Sequence, residues 1–112
     1  MTLDELATGF KARSDDPVVQ QLGRLLLDWK TTDATVADLA ETVDRYFGTT
    51  WIASEAEHDA AFGAWVEFRD EVVNRIGGMT MNERLYHLSL FDRFDGSASG
   101  RHVVYQKLLA EP

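Results

Sequence analysis

The sequence predicts an all-α protein: one domain over 1–112, a compact bundle of about six helices, with the long helices near 55–76 and 81–94. Three observations carry this. Apolar residues recur at i, i+3, i+4 and i+7 through most of the chain. Thr35-Val36-Ala37-Asp38, Ser54-Glu55-Ala56-Glu57 and Thr80-Met81-Asn82-Glu83 have capping-box spacing, with Asp standing for Glu in the first. The one β-prone stretch, 49–53, has no second strand to pair with, and an isolated strand is not stable.

Behind Thr2 as a cap, Leu3, Leu6, Ala7 and Phe10 share a face, so a first helix ends near 11–13. Ser14-Asp15-Asp16 breaks it. Asp16 is a good N-cap and Pro17 a good first helical residue, and Val18, Val19, Leu22, Leu25, Leu26 and Trp29 line the second helix to about Lys30. Val36, Leu39, Ala40, Val43, Tyr46 and Phe47 line the third, with Gly48 as its C′ stop. An extended connector follows, from which Trp51 and Ile52 are expected to pack on the core. The capping box at Ser54 opens the helix over 55–76, and Gly77-Gly78 ends it. The box at Thr80 opens the helix over 81–94, 95–100 forms a loop, and a short helix over 101–110 closes the bundle.

Composition bounds the function. Charged residues at 27% beside 45% hydrophobic residues describe a folded chain rather than a disordered one. The absence of cysteine removes disulfides, thiol catalysis and thiolate metal sites. No signal peptide and no apolar run long enough for a bilayer are visible, so a cytoplasmic protein without membrane contact is expected. The net charge of -8 is uneven: residues 1–71 hold fifteen acids and six bases, residues 72–112 four acids and five bases. Such a surface repels phosphate backbones, which argues against direct nucleic-acid binding. It suits a basic protein partner or serves solubility alone.

Some residues break their own pattern. His58 and Arg69 lie on the apolar face of the 55–76 helix with Phe62, Trp65 and Val66. A buried arginine needs a partner, and Asp92, on the apolar face of the next helix, is the candidate for a structural buried ion pair with Arg69. The alternatives are an anion or ligand site around Arg69 and a partly exposed arginine that snorkels to solvent. Glu55 and His58 have the spacing found in carboxylate di-metal bundles, but the motif occurs once where such bundles need it twice, so no metal is expected. Tyr86, Leu90 and Phe94 form a second apolar stripe beside Met81, Leu85, Leu88 and Phe91, either central in the fold or exposed to a partner. No nucleophile elbow, phosphate loop or histidine pair of ligand spacing is present, so neither an enzyme nor a cofactor is expected.

Asn82-Glu83-Arg84-Leu85-Tyr86 and Leu90-Phe91-Asp92-Arg93-Phe94-Asp95 resemble a segment near the C-terminus of small, mostly uncharacterised, acidic helical bacterial proteins. That resemblance implies no catalytic or binding residue. In size, acidity and helical make-up the chain is similar to the immunity proteins of bacterial toxin systems, which occlude a toxin domain's active site. The expected function is therefore a small cytoplasmic inhibitor of a basic toxin domain. The alternatives are a nucleic-acid-mimicking phage-defence antagonist and a non-catalytic adaptor subunit. The acidic segment from Asp28 to Asp59 supplies the expected contacts: Asp38, Glu41, Asp44, Glu55 and Asp59, with Trp51 and Tyr46 as aromatic anchors.

Overall fold

Side-chain caps decide where most of the helices begin. In the computed structural model, which describes residues 1–96 and 98–109, Thr2, Asp16, Thr35, Ser54 and Thr80 each accept a backbone N–H from the first turn that follows. They open α1 (Leu3–Arg13), α2 (Pro17–Trp29), α3 (Val36–Thr49), α4 (Glu55–Glu71) and α5 (Met81–His87); α6 (Phe91–Gly96) and α7 (Ala98–Leu109) complete the chain. The protein is an all-α bundle, with no strand among the described residues. The boxes at Thr2, Thr35 and Thr80 are reciprocal. The one expected at Ser54 forms by half, because the Glu57 carboxylate reaches across to accept the Ser14 hydroxyl at 2.8 Å instead.

The two long helices are shorter than predicted, for physical reasons. The first stops at Glu71, and Val73–Gly78 tightens into a 3-10 segment. Two β-branched valines meet there and two glycines follow, all poor helix formers. The second breaks at Leu88-Ser89-Leu90. Leu88 and Leu90 are both fully buried, yet two residues apart on one helix point about 200° away from each other. Ser89 resolves this by taking φ 57°, a left-handed conformation uncommon for a residue with a side chain, and its hydroxyl accepts the Asp4 N–H at 3.1 Å. The stripe of Tyr86, Leu90 and Phe94 is therefore split: Tyr86 is exposed, Leu90 buried and Phe94 half-buried. Gly48 does not stop α3; it lies inside the last turn, and Thr50, in extended conformation, caps that helix. The loop expected over 95–100 is largely helical, since α6 runs to Gly96 and α7 opens at Ala98. The expected end of the last helix at 110 lies outside the described residues.

The apolar faces meet in one core. Leu3, Leu22, Leu26, Leu39, Val43, Trp65, Phe68, Ile76, Leu85, Val104 and Leu108 are all buried in it. Each such large side chain contributes roughly 2–3 kcal/mol. α1 and α2 approach closely at Gly23, where a Cβ would come 3.1 Å from the Ala7 carbonyl oxygen.

Two cations are buried in this core. Lys107, on α7, has no exposed surface. Its Nζ donates to the carbonyls of Trp29 and Thr32 at 2.8 Å and of Ala34 at 2.6 Å, and lies 3.9 Å from the centre of the Trp29 ring. They belong to the last residue of α2 and the loop that follows it, so a cation there sits at the negative end of the helix dipole. Burial, with the neighbouring Arg93 charge, pulls the Lys107 ammonium down to about 8, which still leaves it charged at neutral pH. Arg93 donates to the carbonyls of Lys30 and Thr32 in the same loop. Arg84 similarly joins Met79 and Leu108, donating to their carbonyls at 3.1 and 2.7 Å.

Candidate functional site

Where α3 hands over to α4, aromatic side chains gather at the surface. Phe47 comes from the last turns of α3, and His58 and Phe62 from successive turns of α4. Phe47 meets Phe62 edge-on at 5.2 Å and His58 edge-on at 6.1 Å, while His58 and Phe62 lie nearly parallel at 5.9 Å. Such offset and T-shaped pairs are the favoured aromatic geometries, so each ring fixes its neighbour's plane. Phe62 remains exposed, and Phe47 and His58 are half-buried.

Trp51 stands beside this cluster on the connector. It is 79% exposed, whereas Trp29 and Trp65 are 5% and 0% exposed. The expectation that Trp51 and Ile52 both pack on the core holds for Ile52 alone. In extended backbone successive side chains point to opposite sides, so burying Ile52 turns Trp51 outward. Thr50, Trp51, Ile52, Ala53, Glu55 and His58 line an open groove of about 270 Å³.

The predicted contact residues do not form one face. Glu55 and Asp59, both exposed, flank His58 on the first turns of α4, with Asp59 Oδ1 3.3 Å from His58 Nδ1. Glu55 lines the same groove as Trp51 and His58, and Asp59 contacts it through His58. Asp38 lies at the opposite end of α3, ~17 Å away along the helix axis, where its carboxylate accepts the Thr35 N–H in the capping box. Glu41 pairs with Arg45 one turn on, at 2.6 Å. Asp44 is occupied: it accepts Trp65 Nε1 at 2.8 Å and Arg69 Nη1 at 2.9 Å, tying α3 to α4. Tyr46 is half-buried and donates its hydroxyl to the Val18 carbonyl, and burial raises its pKa. Asp44 and Tyr46 are thus braces of the scaffold beneath the site rather than free contacts.

The Arg69–Asp92 pair does not form. Arg69 is half-buried and pairs with Asp44, while Asp92 is exposed on α6. The shortening of both long helices moves Asp92 onto a separate element, off the face assumed for it. His58, read as a packed histidine near a helix start, sits within the ring cluster. Among the described residues no group of three or more His, Asp or Glu side chains converges as a metal would require.

Two signals in the sequence were passed over. Phe47 and Phe62 read as core residues because they continue apolar stripes. Lys107 lies one residue before Leu108 and three after Val104 on an apolar helix face, the same anomaly that singled out Arg69.

No helix among the described residues is long and apolar enough to cross a membrane. No protein-family model matches the chain, and neither a curated protein nor a solved structure matches it.

Proposed function

We propose that this chain is a small acidic binding protein of the immunity type, whose Trp51 face docks on a basic toxin domain and occludes its active-site cleft. The observation that carries the reading is the exposure of Trp51 beside the Phe47, His58 and Phe62 rings, with Glu55 and Asp59 at the edge. Leaving a tryptophan in water forgoes several kcal/mol of burial, an expense an interface recovers. Tryptophan is also among the residue types that dominate binding hot spots. The surrounding charge supplies steering: seven of the eight acids between Asp28 and Asp59 are exposed, and a basic cleft would meet them at an accelerated rate. The role is one of binding and not of catalysis, in the cytoplasm, with no cofactor.

The test is co-purification from the native cells of the wild-type chain and of a Glu55→Lys/Asp59→Lys variant. The reading expects a near-stoichiometric basic protein with the wild type, released by salt, missing with the variant, and toxic when expressed without this chain. A partner that the variant retains in full would overturn the assignment of the face. A partner displaced strictly by DNA or RNA would favour the nucleic-acid-mimic reading, and a non-toxic subunit of a larger complex the adaptor reading.

A further inference from the structure

The docking face contains a recess with its own chemistry. Its lining combines Trp51, His58 and Glu55 with Thr50, Ile52 and Ala53. A groove of about 270 Å³ accommodates one large side chain rather than a cofactor. His58 cannot swing freely, because Phe62 stacks on it and Phe47 abuts its edge. Flat rings beside a carboxylate attract a cation through the ring quadrupole and through charge pairing together.

The molecule holds a related arrangement already filled. The Lys107 ammonium sits over the Trp29 ring, with three carbonyls accepting its three N–H donors. The Trp51 groove pairs its rings with a carboxylate-bearing residue, Glu55, where the Trp29 site has backbone carbonyls. A guanidinium suits that pairing: it is planar, weakly hydrated, stacks on an indole and pairs with a carboxylate through two parallel N–H donors.

We infer that the groove between Trp51 and His58 reads an arginine side chain of the partner, stacked on the Trp51 indole and paired with Glu55. The inference rests on the proposal that this face binds a basic protein, and it narrows that partner to one presenting an arginine at its cleft. Arginine supplies the positive charge that the acidic surface selects and the flat surface that the rings select.

The test uses the intact protein and three end-capped tripeptides, Gly-Arg-Gly, Gly-Lys-Gly and Gly-citrulline-Gly, titrated to ~100 mM, since an isolated contact of this kind binds in the millimolar range. Nuclear magnetic resonance of the His58 backbone amide and the Trp51 indole N–H reports occupancy. The arginine peptide is expected to give saturable shifts at both, with the lysine peptide about threefold weaker and the neutral citrulline peptide at least about tenfold weaker. Trp51→Ala and Glu55→Gln should each weaken the arginine peptide by about three- to tenfold, read at His58. No saturable shift, or equal binding of the arginine and citrulline peptides, overturns the arginine pocket. If the peptide ignores the groove while Glu55→Lys/Asp59→Lys still abolishes partner capture, the docking face stands and the arginine pocket falls. If the peptide binds and that variant keeps its partner, the pocket stands and the docking face falls.

Discussion

Two junctions in this molecule carry a tryptophan, and they use it oppositely. At the turn after α2, Trp29 is buried, its Nε1 donates to the Thr35 carbonyl at 3.0 Å, and Lys107 covers its ring. At the connector after α3, Trp51 is exposed and lines an open groove with Glu55 and His58. The first junction has its cation supplied by the chain itself and serves stability. The second has rings and charge arranged but uncovered, as the proposed recognition role requires. Residue type alone does not separate the two roles. The difference lies in whether the chain covers the indole itself: the Lys107 ammonium lies over Trp29, and Trp51 is left open.

That contrast breaks most visibly at Lys107. Lys107→Met keeps the buried stem but removes three hydrogen bonds: the Trp29 carbonyl keeps Thr32 and the Thr32 carbonyl keeps Arg93, while the Ala34 carbonyl loses its ammonium donor. Losing three charge-assisted bonds and the cation over Trp29 should cost about 3 kcal/mol, with a fall in Tm of ~10 °C. Thermal unfolding followed by circular dichroism checks this; a Tm within a degree or two of wild type would mean that the junction does not depend on the cation.

Trp51→Ala should act in the other direction. Partner affinity is expected to fall by about fiftyfold, roughly 2 kcal/mol, as for a central aromatic anchor. Stability should stay within about 0.5 kcal/mol, because little surface is buried there. Calorimetric titration against the co-purified partner reads the first number and urea unfolding the second.

A smaller effect is expected beneath the site. Asp44→Ala removes the acceptor shared by Trp65 Nε1 and Arg69 and should cost about 1–2 kcal/mol. Glu41→Ala, which breaks only an exposed i,i+4 pair with Arg45, should cost less than ~0.5 kcal/mol. Equal losses in urea unfolding would place Asp44 and Glu41 in the same role, contrary to their geometry.

The mildest effect concerns the caps. Glu5 and Glu83 have lowered pKa values because each carboxylate accepts the backbone N–H and the hydroxyl contact of its capping threonine, Thr2 and Thr80. A depressed carboxyl pKa stabilises the fold above the unfolded value of 4.5, and that contribution is lost as pH falls through the folded value. Glu5→Gln/Glu83→Gln should therefore lose less of its urea midpoint between pH 7 and pH 3 than the wild type. An identical acid dependence in both proteins would count against the caps as titrating groups.

Much of this fold was readable from local chemistry. Asp16-Pro17, Thr35, Ser54 and Thr80 announce helix starts through side chains that act within one turn, and the structure places the starts there. Helix ends were less legible because tertiary demands set them. The break at Ser89 exists to bury both Leu88 and Leu90, and no propensity encodes it. The site was partly legible for the same reason. Trp51, Glu55 and Asp59 fall together because they are near in sequence. Asp44 was misread because its partners Trp65 and Arg69 lie on another helix, and Lys107 passed unnoticed because its acceptors sit some seventy residues earlier.

The most direct test of the central claim is to measure Tm and the yield of co-purified partner on the same preparations of wild type and Trp51→Ala. The account predicts an unchanged Tm, within about 2 °C, and loss of the partner. A Tm lowered by many degrees would make Trp51 a structural residue, and a partner retained at wild-type yield would remove it from the interface.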